Sequence, residues 1–181
     1  MDACVLYPPL VRRLLLAAAG RGLLRPLWSA RVLEEWARAA ERRHGLDEGR
    51  AVRAEGALLD ALWPEASVPP AEGPAPTLPD PDDAHVLAAA LAGRAEILVT
   101  FNLRDFPAPK LRRLGLAPLH PDAALWELWG AAPELMRAAT AEALAAHVPP
   151  GAPSPSAEEG PRLVKRAGLP RLARLMRREM G

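Results

Sequence analysis

The sequence predicts an α/β fold, a parallel sheet flanked by helices, with a small helical C-terminal region. Three observations predict it. Helix-like and strand-like segments alternate up to Leu119, the pattern of a parallel sheet covered on both faces. Residues Leu78–Pro107 (LPDPDDAHVLAAALAGRAEILVTFNLRDFP) read as one unit: an Asp/Pro turn, an Ala/Leu helix, a Gly turn, a strand and a polar tip. After His120-Pro121 the chain reads as helix only.

Taken in order, Ala3–Tyr7 (ACVLY) predicts a short buried strand. Pro8 and Pro9 stop it and open a helix over Leu10–Ala19, because proline is tolerated in a first helical turn. Leu23–Trp28 is an edge strand or an extended link, since Pro26 cannot donate to a ladder. Ser29 is a suitable N-cap for the next helix, in which Val32, Leu33, Trp36, Ala39 and Ala40 share one face. Ala51–Leu62 predicts another amphipathic helix. Ser67–Pro79 holds five prolines and reads as a loop with one short strand at its end. The strand Glu96–Thr100 follows the Ala-rich helix; Leu111–Leu114 is a basic turn or short helix and Leu116–Leu119 an edge strand.

Pro121–His147 predicts helix, with Leu125, Leu128, Leu135 and Met136 as core positions. Val148–Ser156 is a proline-rich linker. Ser156 and Glu159 have the spacing of a capping box, and two short helices divided at Gly168 complete the chain. The expected division is residues 1–120 as one domain and 121–181 as the helical region, with Leu163, Leu169 and Leu172 adding buried contacts.

Composition narrows the class. Half of the 181 residues are apolar, enough for a sizeable core, and the net charge of +1 selects no partner. One cysteine, Cys4, excludes an internal disulfide and suits a reducing cytoplasm; its bland reading is a small buried apolar group. No signal peptide is expected, nor an apolar run of about 18 residues that would span a membrane. His44, His120 and His147 lack zinc-site spacing. The five tryptophans, Trp28, Trp36, Trp63, Trp126 and Trp129, are expected in the core.

The acidic residues carry the chemistry. In an open α/β sheet, strand ends and helix starts converge on one crevice. Four acids can meet there: Asp2, Glu35, Asp83 in the first turn of the Ala-rich helix, and Asp105 after the strand EILVT. Gathered carboxylates repel one another unless a hard cation lies between them, so the pattern points to a divalent metal. Asp80, Asp82 and Asp83 could each be simple helix caps, and Glu34 and Glu35 an ordinary solvated face. Asn102 could merely shape a turn. His85, one turn into the Ala-rich helix, is a candidate substrate contact, with a surface or packing role as its bland reading.

The pieces DACVLY, SARVLEEW, DPDDAHVLAAAL and LVTFNLRDFP, in this order, resemble the PIN-domain family of metal-dependent ribonucleases. Within it the chain looks most like the VapC-like toxins of VapBC-type toxin–antitoxin systems, in a subgroup with a helical C-terminal extension. The resemblance implies an endoribonuclease that uses Mg²⁺ or Mn²⁺, acts on RNA, pairs with an antitoxin protein and forms a homodimer. It implies Asp2, Glu35, Asp83 and Asp105 as metal ligands, with Asn102 sharing the last region and Thr100 orienting a neighbouring carboxylate. Many family members carry Asp where Asn102 stands. Many also have a strand leading into the first Asp, where only Met1 precedes Asp2 here: either the native start lies further upstream or the strand is shortened, and a shortened strand would favour a PIN-fold protein-binding module with weak or absent catalysis. Arg104, Arg112 and Arg113 are the expected phosphate contacts, with the seven basic residues of Arg162–Arg178 as the competing patch.

Overall fold

The computed structural model describes residues 1–69 and 77–180. They form two compact units: Met1–Tyr7 with Pro26–Leu119, and Pro8–Arg25 with His120–Gly181.

The first unit holds helices α1 (Ala3–Leu6), α3 (Ala30–His44), α4 (Leu46–Leu62), α5 (Ala84–Ala92) and α6 (Ala108–Arg112). Its strands are β1 (Trp28–Ser29), β2 (Ser67–Val68), β3 (Ile97–Val99) and β4 (Ala117–Leu119). All pairings are parallel: Trp28 and Ser29 stand opposite Ser67 and Val68, and Ile97–Val99 opposite Ala117–Leu119. The first two residues bridge the two ladders. The Met1 amine donates to Leu27 O at 2.6 Å, and the Asp2 amide to Val99 O at 3.1 Å. Asp2 is thereby fixed beside the end of β3. The α/β class holds, with strands shorter than expected.

Ser29 caps α3 by accepting from the Val32 amide at 3.3 Å. The helix buries Val32, Trp36 and Ala40. It packs along α4, which starts at Leu46, five residues before the expected Ala51. Gly49 permits that approach: a Cβ there would lie 2.7 Å from Glu41 Cβ. Trp28 is buried, and its indole N–H donates to Asp60 at 2.7 Å. α5 packs against β1 and β3 through a face that includes buried Val86, Leu87 and Ala90.

Two expectations fail here. Ala3–Tyr7 is not a strand: Ala3–Leu6 is a helical turn, because the Asp2 side chain accepts from the Cys4 amide and caps it. Among the described residues the short strand of the proline-rich loop stands at its start, Ser67–Val68, and residues 77–79 at its end form none. Residues 70–76 of that loop lie outside the described residues.

The second unit is helical: α2 (Pro9–Ala19), α7 (Pro121–Ala131), α8 (Pro133–Ala145), α9 (Glu159–Arg166) and α10 (Pro170–Met180). The expected continuous helix 121–147 breaks at Ala132, ahead of Pro133, as the restriction on a residue before proline requires. α2 packs on α8, and α10 on α7 and α9. Leu125, Trp129, Met136, Leu169 and Leu172 are buried, while Leu128 and Leu163 are only partly so. Leu135 and Trp126 are exposed at 46% and 48%, which corrects their assignment to the core. The capping box is present in both directions: Glu159 N donates to Ser156 Oγ at 3.2 Å, and Ser156 N to Glu159 Oε2 at 3.1 Å. Asp122 is buried and accepts from the amides of Arg171 and Leu172 at 2.9 and 3.0 Å. No helix among the described residues is long and apolar enough to cross a membrane.

Candidate metal centre

The turn before α5 sorts its three aspartates by position. Asp80 supplies the cap: its side chain accepts from the Asp82 amide at 2.9 Å. Asp83 ends the 3-10 turn Pro81–Asp83 and stands where α5 begins, yet its side chain makes no capping bond. Asp82 is exposed. After β3 the chain turns, with the Asp105 amide donating to Asn102 O at 3.2 Å and the Asn102 side-chain amide donating to Asp105 Oδ2.

These two turns bring Asp80, Asp83 and Asp105 together. One carboxylate oxygen from each lies within 4.8 Å of the others. Burial, then the charges of Asp2, Asp80, Asp105 and Glu35, pushes the Asp83 carboxyl from 3.8 up to about 6. All the charges that shift it are carboxylates. An all-oxygen, mutually repelling donor set fits a hard divalent cation such as Mg²⁺ or Mn²⁺.

Asp2 and Glu35 stand outside that trio but near enough to act on Asp83. Asp2 is buried and held at both oxygens. Thr100 Oγ1 donates to Oδ2 at 2.6 Å, Cys4 Sγ donates to Oδ2 at 3.0 Å, and the Cys4 amide donates to Oδ1 at 3.3 Å. Thr100 is itself fixed, its hydroxyl accepting from the Asn102 amide at 2.9 Å and its own amide donating to Leu119 O at 3.0 Å. Glu35 Oε2 lies 3.1 Å from His85 Nε2. Its neighbour Glu34 is engaged elsewhere: hydrogen bonds from Arg53 and then Arg38 hold it down at about 2. Of the two glutamates, Glu35 is therefore the one turned to the acidic cluster.

Three residues carry contacts that the sequence expectations do not name. As a helix-start acid Asp80 reads as a cap, yet it sits one turn before Asp83 and joins it in the trio; that spacing is the signal. His85 is mostly enclosed, and its Nδ1 is buried without a hydrogen-bond partner among the described residues. Its link to Glu35 is a tertiary contact that spacing does not display. Cys4 is not a plain buried apolar group. It is half-buried between Asp2 and Thr100 and accepts from the Phe101 amide at 3.2 Å. Burial and the Asp2 charge push its thiol up to about 12, so it stays protonated and can donate. Arg104, Arg112 and Arg113 are exposed.

Two parallel strand pairs flanked by helices, with three aspartates gathered between the start of α5 and the turn after β3, define an α/β fold with a candidate metal site. The comparison with known families agrees with the geometry: the model described as "PIN domain" matches residues 1–104, and the chain belongs to the PIN-domain family. Among curated proteins it is similar to "Putative ribonuclease VapC50" of Mycobacterium tuberculosis (strain ATCC 25618 / H37Rv), 52% identical over 40 residues. That stretch is 22% of this chain and 24% of the relative, so the match spans about a quarter of the relative's length. No solved structure matches.

Proposed function

We infer that the chain is a divalent-metal-dependent endoribonuclease, the toxin of a toxin–antitoxin pair. The observation that carries the metal reading is the trio Asp80, Asp83 and Asp105, one carboxylate oxygen of each within 4.8 Å of the others, with Asp83 raised to about 6 by burial and the surrounding carboxylates. Membership of the PIN-domain family and the ribonuclease named among its relatives support RNA as the substrate. The reading includes an antitoxin partner, supported by the same likeness, and a homodimer. In this reading the nuclease chemistry belongs to residues 1–120, apart from the helix Pro9–Ala19, which groups with the second unit, and 121–181 is an accessory helical region.

Asp83 and Asp105 would hold the cation, with Asp80, Asp2 and Glu35 completing its surroundings. When bound, Mg²⁺ or Mn²⁺ would supply an acidified water and positive charge for the phosphoryl oxygens. The chain's own groups do the rest. Thr100 and Cys4 orient Asp2, and Asn102 orients Asp105. Glu35, held by His85, can accept the proton of the attacking water as the water oxygen bonds to phosphorus; the P–O bond to the leaving oxygen breaks, and that oxygen takes a proton from solvent.

The test is cleavage of a labelled single-stranded RNA with Mn²⁺ or Mg²⁺, with EDTA, and with the Asp83→Asn protein. Metal-dependent cleavage lost in Asp83→Asn supports the reading. Cleavage unaffected by EDTA removes the metal. A chain that cleaves no RNA with either ion leaves the PIN fold without the nuclease role.

A further inference from the structure

A groove of about 560 Å³ opens beside the acidic cluster, bounded by Cys4, Tyr7, Glu35, Ala39, Arg42 and Arg43. Its volume is in the range of small-ligand pockets, roughly 300–1,000 Å³. One end touches the candidate centre, since Glu35 acts on Asp83 and Cys4 bonds Asp2. The other end is cationic. Glu35, Ala39 and Arg42 recur at helical spacing on α3, so the stripe runs on the order of 10 Å at about 1.5 Å per residue. Ala39 leaves the floor between the charged ends low.

Arginines in a last helical turn complement the helix dipole, which accounts for their place in the sequence. It does not account for their sharing a groove with an acid site. The neighbouring charges on α3 are neutralised: Glu34 by Arg38 and Arg53, Glu41 by Arg53. Among the described residues neither Arg42 nor Arg43 has a carboxylate within ion-pairing distance. Tyr7 adds an aromatic wall, its hydroxyl 3.1 Å from His44 Nε2, which fixes the ring.

We propose that this groove holds the nucleotide adjoining the scissile phosphate of single-stranded RNA, with Arg42 and Arg43 on its phosphate and its base stacked on Tyr7. The proposal rests on the nuclease reading above. Guanidinium forks match phosphate geometry, and base–aromatic stacking tolerates any base, so the groove positions RNA without selecting sequence. These are positioning residues; they take no part in bond breaking.

The test measures binding of a labelled single-stranded RNA to the Asp83→Asn protein at several salt concentrations, and cleavage by the otherwise native chain. Arg42→Gln/Arg43→Gln should weaken binding about tenfold and reduce the salt slope by about 0.7, the loss of one phosphate contact on a single strand. In cleavage KM should rise with kcat retained. Tyr7→Ala should weaken binding about tenfold while Tyr7→Phe keeps it. Arg50→Gln, on the exposed side of α4, serves as the control for removing a charge. Circular dichroism checks that each variant is folded. Native cleavage with affinity and slope unchanged in the Arg42/Arg43 variant overturns the groove alone, as does a loss confined to Arg112→Gln/Arg113→Gln. A native chain that neither binds nor cleaves RNA overturns the groove and the nuclease reading together.

Discussion

Thr100 Oγ1 donates a 2.6 Å hydrogen bond to Asp2 Oδ2, joining residues 98 positions apart inside the first unit. Both side chains are buried, so the carboxylate depends on Thr100 and Cys4 in place of water. Thr100→Val keeps the shape and removes the donor. The expected cost is about 1–3 kcal/mol in urea denaturation, because a buried acceptor loses its strongest partner. Thr100→Ser should recover most of it. If the proposed nuclease role is right, kcat should fall with the valine variant and return with the serine. Equal stability of valine and native proteins would mean that Asp2 finds another donor.

Asp122 does comparable work in the second unit. Its carboxylate accepts from two amides at the start of α10, filling the role of an N-cap from 49 residues away. Asp122→Ala should cost about 1–3 kcal/mol. Amide exchange should speed at Arg171 and Leu172 before it changes in α8. Unchanged exchange at those two amides would show that α10 is held by the packing of Leu172 and Met176 alone.

What the sequence disclosed was local. Ser29 and the Ser156–Glu159 box announce helix starts because their capping partners lie three residues away. The strand at 97–99 and the helix before it were legible from alternating patterns and a glycine turn. The failures share one cause: their determinants are tertiary. A four-residue helix at Ala3–Leu6 is too short for periodicity, and its cap, Asp2, is fixed by Thr100 and Val99. Asp122 looks like a surface acid until α10 arrives. Trp126 is on the same helix as Trp129, yet only the latter is turned inward, where its N–H donates to Glu179. The four named acids were legible as types. The inclusion of Asp80 and the pairing of Glu35 with His85 required the fold.

Asp83 makes the metal-free protein sensitive to pH. In the unfolded chain it titrates near 3.8, and in the fold near 6. Between these values the folded protein keeps a proton that the unfolded chain has lost. Stability therefore falls as pH rises through that window, and the penalty is complete above about 6. Its size is on the order of 1 kcal/mol, since a partly exposed carboxylate is screened by solvent. Asp83→Asn should lack this pH step and be more stable than native at pH 7.5 in chelator, but no more stable at pH 4. Urea denaturation across the range measures it. A native protein without the pH step would place Asp83 in open solvent.

The same titration governs metal affinity. A cation held by Asp83 competes with the proton, so apparent affinity should weaken by up to about tenfold per pH unit below about 6 and level off above it. Mn²⁺ binding only the folded state raises the melting temperature according to the ratio of its concentration to Kd. At a fixed Mn²⁺ concentration the rise should be clear at pH 7.5, smaller at pH 5.5, and largely lost in Asp83→Asn at both. Asp105→Asn should behave similarly, because its oxygen belongs to the same trio. Glu34→Gln should keep the full shift, since Glu34 is engaged by Arg38 and Arg53 away from the cluster. Differential scanning fluorimetry of the four proteins decides it. A melting shift that is the same at both pH values, or that survives Asp83→Asn, would locate the cation away from Asp83 and separate the acidic crevice from metal binding.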